Sequence, residues 1–515
     1  MERDTGMTAP ARGTASAART LKLRKTSLDK DLGKLNRLED ATRSISRELF
    51  ASGVAILFLA LAGIIASFHI GAHSSAILVI AAAVVGGYMA LNIGANDVAN
   101  NVGPAVGARA LTMTGALLIA AVCESAGALI AGGNVVDTIS KGIVDPALVP
   151  DAQTFVWIML SALLSSAVWV HLATFLGAPV STTHAIVGSV MGAGLAAVGV
   201  EAIDWFVVWA ITSSWILSPV LGGVIAAIFL AIIKTNIIYQ DDKIAAARRW
   251  VPTLIALMGA TFSIYLVNKG LSHVWHPGIA ATLLMAVGIF LALYALVRPW
   301  VYRQSIGLEN RNQSLRKLFH LPLICSAALL SFAHGANDVA NAVGPLAAIL
   351  HSAEVGTLER TVALPFWVML IGALGISLGL FLFGPRLIRM VGHQITRMNP
   401  MRAFCVALSA AITVIVASQL GLPVSSTHIA VGAVFGVGFF REYYTTHSRR
   451  RRDFVRTHQT RHVKKSHLRV DRDKLRRRKL VRRSHFFSIL AAWIITVPAS
   501  AGLAAAIYYG VSTFR

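Results

Sequence analysis

Charge is scarce in this 515-residue chain: 14% of its residues are Asp, Glu, Lys or Arg and 55% are hydrophobic, against roughly a quarter charged in an average globular protein. That shortage excludes a soluble enzyme, because most of the chain has to be hidden from water. Recurring apolar runs of about 18 residues or more make lipid the solvent. Cysteine is scarcer still, and Cys123, Cys325 and Cys405, widely spaced and within apolar segments, support neither a disulfide framework nor a thiolate cluster. No Gly-x-x-x-x-Gly-Lys-Ser/Thr loop, paired metal-ligand helix or nucleophile elbow occurs, so neither an ATPase nor a hydrolase is expected and no cofactor is implied. Energy for any work must then come from an ion gradient.

Acids are outnumbered, and the net charge is +23. The excess is local: residues 441–484 hold 18 Lys/Arg against four acids, and residues 1–49 hold 11 against seven. No zinc-finger, helix-turn-helix or RNA-recognition pattern accompanies these runs, so they mark cytoplasmic segments near anionic lipid rather than a nucleic-acid surface.

What is present reads as an all-α polytopic membrane protein with about 12–13 hydrophobic segments. The run at 50–71 starts too late and is too long for a cleaved signal, and it is expected to stay as an anchor. Lys/Arg concentrate in 234–250, 298–320, 385–402 and 441–484 and are nearly absent from 72–75, 133–153, 267–277 and 351–361. The first set belongs inside and the second outside, with the N-terminus cytoplasmic and the C-terminus outside. The stretches 154–200 and 403–440 fit either two full spans or one re-entrant hairpin each. The 13-residue length of 428–440 leans toward a hairpin.

The chain repeats itself. Gly94 to Ala105 (GANDVANNVGPA) recurs as Gly335 to Leu346 with ten identities in twelve, and Gly177 to Gly194 (GAPVSTTHAIVGSVMGAG) recurs as Gly421 to Gly438 with eleven in eighteen. The order and spacing of the blocks are kept, so a whole unit is duplicated. The charge-derived topology has the first unit entering its motif helix from outside and the second from inside. An inverted repeat with broken or re-entrant helices predicts a secondary transporter working by alternating access, with its substrate near the midplane between the copies. The organisation expected is a tail at 1–49, an extra helix at 50–71, a first repeat at 72–233, a connector with two transmembrane helices at 234–318, and a second repeat at 319–515 carrying the Arg-rich insert 441–484.

Two constellations can carry chemistry. Asp97 and Asp338 are carboxylates at membrane depth, where an unpaired charge costs at least about 2.5 kcal/mol. With Asn96, Asn100, Asn337 and Asn341, and with carbonyls freed where Gly and Pro interrupt the helix, they suit sodium, or else they bind protons. Glu124 is a second candidate for cation coupling or a structural partner of a neighbouring helix. No acid stands at its matching place in the second repeat, near Pro365 by simple offset. Ser181, Thr182 and Thr183, and likewise Ser425, Ser426 and Thr427, follow a Gly-x-Pro-Val break and precede an apolar helix. One such site is an ordinary N-cap. Two converging helix N-termini with hydroxyl donors suit a tetrahedral oxyanion, with phosphate leading. His184, His428 and His334 adjoin these blocks either as proton relays or as packed core residues.

At these four blocks the chain strongly resembles the inorganic phosphate transporter family, whose paired signatures match Gly94 to Asn100, Pro179 to His184, Gly335 to Asn341 and Pro423 to His428. The resemblance covers about residues 72 to 510. It implies a proton- or sodium-coupled symporter importing inorganic phosphate, or a metal-phosphate complex, across the plasma membrane, and a homodimer. It assigns Asp97, Asn100, Asp338 and Asn341 to cation and phosphate binding and the six hydroxyl residues to cradling phosphate. Relatives similar to sulfate permeases keep a sulfate or other oxyanion carrier as the alternative.

Overall fold

The computed structural model describes residues 49–70, 75–178, 180–270, 278–355, 364–394, 398–459 and 483–513. Expectations for the tail before residue 49 and for 460–482 of the Arg-rich insert lie outside the described residues. Residues 54–515 form one compact unit. In chain order the helices are α1 (Leu49–Ile70), α2 (Ala76–Gly107), α3 (Met113–Ala131), α4 (Gly133–Asp137), α5 (Ala152–Phe175), α6 (Thr182–Ala197) and α7 (Trp205–Ile233). The connector supplies α8 (Lys243–Gly270), α9 (Ile279–Ser305) and α10 (Asn312–Leu318). Then come α11 (His320–Asp338), α12 (Ala340–Val355), α13 (Phe366–Gln394), α14 (Pro400–Gln419), α15 (Ser426–His447), α16 (Arg449–Gln459) and α17 (Arg483–Ser512).

Eleven helical stretches among the described residues are long and apolar enough to cross a bilayer, α11 and α12 counting as one. The protein is a multi-pass, essentially all-helical membrane protein. Its α6 has 16 residues, a rise of about 24 Å, short of a hydrocarbon core of about 30 Å. The apolar run 428–440 is the first part of the 22-residue α15, which continues through Arg441 to His447.

Helix contacts come in matched pairs. As α2 packs on α13, α11 packs on α3; as α6 packs on α17, α15 packs on α7; and α5 meets α6 as α14 meets α15. Glycine sets the register. A Cβ on Gly94 would strike the Ile376 carbonyl and one on Gly379 the Leu91 carbonyl; a Cβ on Gly335 would strike the Glu124 carbonyl and one on Gly127 the Phe332 carbonyl. Only hydrogen fits at such backbone-to-backbone crossings, the small-residue packing expected where lipid gives helices no hydrophobic reason to associate.

This register corrects one expectation. The residue matching Glu124 is Ile376, not a position near Pro365, because α12 runs on past Ala348, the match of Gly107, before a longer connection leads to α13.

A second correction concerns the broken helices. The expected interruption at the Gly-Ala-Asn-Asp blocks is nearly absent: α2 runs unbroken through Asp97 and Pro104, and only Val339 separates α11 from α12, with Pro345 inside α12. Proline removes one N–H and presses on one carbonyl, which a long packed helix tolerates, so no run of freed carbonyls forms. The real breaks are the turns before α6 and α15, where Gly177 and Gly421 have φ of 69° and 66°, a conformation that favours glycine.

Candidate functional site

Each turn presents a serine that caps the next helix. Ser181 Oγ accepts from His184 N–H at 3.2 Å, and Ser425 Oγ accepts from His428 N–H at 3.3 Å. Those two residues thus perform the ordinary capping role. The hydroxyls behind them are free to do other work.

Asp97, 1% exposed on α2, takes both hydroxyls it meets. Thr182 Oγ1 donates to its Oδ2 at 2.8 Å and Thr427 Oγ1 donates to its Oδ1 at 3.1 Å. Thr182 opens α6 and Thr427 stands in the first turn of α15, so one carboxylate ties both breaks together. Asn100 donates to Thr427 Oγ1 at 2.8 Å, while Asn341 donates to Thr183 Oγ1 at 3.2 Å and Thr182 Oγ1 at 3.3 Å. Thr183 Oγ1 donates to the Val424 carbonyl at 3.1 Å. Ser426 Oγ is buried without a hydrogen-bond partner.

Asp338 is equally buried but is met by an imidazole. His334 Nε2 lies 2.9 Å from Asp338 Oδ2, and His334 Nδ1 lies 3.2 Å from Glu124 Oε1. Asn101 donates to Glu124 Oε1 at 2.8 Å. Single donor atoms of Asp97, His334 and Asp338 all lie within 4.8 Å of one another, close enough for one small cation to touch more than one of them. Two acids and a histidine from two repeats therefore share one spot, and Glu124 joins through the imidazole.

Asn96 and Asn337 do something different. Asn337 accepts from Val424 N–H at 3.2 Å and donates to Ser418 Oγ at 2.9 Å and to the Leu422 carbonyl at 3.2 Å. Asn96, oriented so that both ends of its amide are satisfied, accepts from Thr174 Oγ1 at 2.8 Å and donates at 3.3 Å to the Val180 carbonyl and to Asp97 Oδ1. Both amides brace the turns, and only Asn96 also touches a candidate cation ligand. His184 and His428 pack ring to ring, 4.5 Å between centroids, with Trp215 3.8 Å from His184, which is the packed-core reading of that pair. Sequence reasoning missed Asn101, whose one signal is that it doubles Asn100 where the second repeat has Ala342.

A membrane-embedded helical bundle whose buried centre gathers acids, amides and hydroxyls from two repeated units has the build of a carrier. Comparison gives the group a name. The model of the phosphate transporter family matches residues 93–504, and the chain belongs to that family. A Helicobacter pylori protein named "Putative phosphate permease" is 45% identical, the alignment covering 93% of this chain and 98% of that one. A Pyrococcus abyssi protein with the same description is 36% identical over 70% of this chain and 88% of its own. A solved structure, "The sodium-dependent phosphate transporter", is similar with a TM-score of 0.73 at 35% identity and covers 85% of this chain and all of that one.

Proposed function

We propose that the protein imports inorganic phosphate by alternating access, each phosphate moving with protons or sodium ions that bind at Asp97, Asp338 and Glu124. The observation that carries this reading is the shared cluster: Asp97 accepts hydroxyls from the first turns of both α6 and α15, and single atoms of Asp97, His334 and Asp338 lie within 4.8 Å of one another. Three buried carboxylates beside a single histidine cannot all stay ionised and unpaired in a buried centre. An approaching phosphate adds more negative charge. Cations that enter with it would offset that charge, which is the physical reason for expecting coupling at this donor set.

Phosphate would be held by hydroxyls and N–H groups at the starts of α6 and α15, where Thr182, Thr183, Ser426 and Thr427 lie beside Asn100 and Asn341. Helix N-termini favour anions and leave backbone N–H groups unpaired. His334 faces a carboxylate at each ring nitrogen. A neutral imidazole has one N–H, so satisfying both contacts takes one extra proton on this triad, and a proton is one form the cation can take. The relative named for sodium dependence favours sodium as the other. The two repeats are inverted across the bilayer in this reading, with the N-terminus cytoplasmic and the C-terminus outside, an orientation that the Lys/Arg distribution supports.

The test is uptake of labelled phosphate by purified protein in sealed vesicles under separately imposed proton and sodium gradients. Accumulation above equilibrium under one of the two is expected, with competition by arsenate stronger than by sulfate. Equal filling with no gradient would make the protein a channel and reject coupling.

A further inference from the structure

A second group of charges, Lys234 buried and Arg402, Arg441 and Arg451 half-buried, is separate in sequence from the acids just described. Lys234 starts the π-helical turn Lys234–Ile238 that ends α7 and is 7% exposed. Its Nζ lies 4.4 Å from the ring centre of Tyr444 and 5.5 Å from that of Phe440, both on α15. Tyr239 stacks on Tyr444 at 5.7 Å and meets Phe454 of α16 edge-on at the same separation. Arg402, in the first turn of α14, donates Nε to Asn399 Oδ1 at 3.1 Å, and its Nη1 is buried with no hydrogen-bond partner.

The charges that act on Lys234 are those of Arg441, Arg451 and Arg402. Arg402 in turn feels Arg441 and Arg316, besides the Cys405 thiol. Among the described residues neither Lys234 nor Arg402 forms an ion pair. Cations buried against like charges are unfavourable unless an anion or a function compensates. Aromatic faces help an ammonium but offer its N–H groups no lone pair. Nothing in the phosphate path uses these residues.

We propose that Lys234, Arg402, Arg441 and Arg451 bind a phosphoryl anion distinct from the transported phosphate. A guanidinium fork, a point-like ammonium and aromatic walls together suit a multiply charged phosphoryl group. Lys234 and Arg402 both lack an ion pair among the described residues, so a singly charged carboxylate would leave one of them uncompensated. The arginines come from α15 and α16, which begin the Arg-rich insert, and from α14, while the lysine ends α7. An anion bound here would join the insert to the repeat helices. Two sources carry this chemistry: an anionic lipid headgroup and a soluble polyphosphorylated compound.

Full-length protein settles both points. Tripolyphosphate binding is measured by calorimetry in detergent, and retention of phosphatidylglycerol over phosphatidylcholine by native mass spectrometry from nanodiscs. The double variant Lys234→Gln/Arg402→Gln and the less buried Arg441→Gln should each weaken one of these at least about fivefold per cation removed, while Asp338→Asn leaves it unchanged. Loss confined to tripolyphosphate assigns a soluble ligand, and loss confined to the lipid assigns a headgroup. Monodisperse variants that bind both probes like the unaltered protein overturn the proposal, as does loss of the same binding in Asp338→Asn.

Discussion

The two repeats share a scaffold and differ in their chemistry. In the first, Asp97 accepts hydroxyls from Thr182 and Thr427. The matching partners of Asp338 are Ser426 and Thr183, yet Ser426 Oγ has no hydrogen-bond partner and Thr183 donates to the Val424 carbonyl. Asp338 meets His334 instead. Three substitutions produce that difference: His334 stands where the first repeat has Ile93, Glu124 where the second has Ile376, and Asn101 where the second has Ala342. All three meet on one side, in the chain Asn101, Glu124, His334, Asp338. Duplication provides two equivalent carboxylate positions, and a few polar-for-apolar exchanges give one of them a proton-bearing neighbour.

The harshest way to break this comparison is to neutralise each acid. Asp338→Asn leaves His334 with Glu124 as its remaining carboxylate, and Asp97→Asn replaces one of the two oxygens that accept threonine hydroxyls with a donor. Removing a carboxylate that holds the coupling cation should lower uptake of labelled phosphate at least about a hundredfold in each, about 3 kcal/mol on the barrier, with normal amounts of protein in the membrane. Normal accumulation in both variants would remove the coupling role.

Next in size is the unsymmetrical chain itself. Glu124→Gln and His334→Gln should each lower uptake by about tenfold, and the double variant should be no worse than the more damaged single, because groups that act through one another are not additive. Strictly additive losses would show that Glu124 and His334 work separately. A proton gradient should lose its effect on uptake in His334→Gln before a sodium gradient does.

Much of this site was legible in the sequence because it is written twice. Asp97, Asp338 and the two hydroxyl clusters stood out as polar residues repeated at membrane depth, and the structure brings them together. The helix breaks were only half legible. Gly-Pro pairs at Gly103-Pro104 and Gly344-Pro345 suggested unwinding, but packing against neighbouring helices holds α2 and α12 helical there. The role of Glu124 was obscured because its contact with His334 depends on how α3 crosses α11, and no local pattern encodes that crossing. Asn96 and Asn337 looked equivalent to Asn100 and Asn341, yet they sit one turn away and face their own repeat's turn instead of the other's. Lys234 read as one more inside charge, since burial cannot be seen in a charge count.

The smallest effect separates the two repeats most cleanly. Thr182 Oγ1 donates to Asp97 and accepts from Asn341, so Thr182→Ala takes one hydrogen bond from each of two buried groups and should cost about 1 to 3 kcal/mol, seen as a lower midpoint of thermal inactivation. Ser426 holds the matching position with no hydrogen-bond partner, and Ser426→Ala should change stability by less than about 0.5 kcal/mol. An idle hydroxyl beside a helix N-terminus is nevertheless available to substrate, so the same variant should raise the KM for phosphate. Equal losses of thermal stability would mean that Ser426 already bonds Asp338 as Thr182 bonds Asp97. The two carboxylates would then be equivalent, and His334 would no longer mark one of them as the proton-linked site.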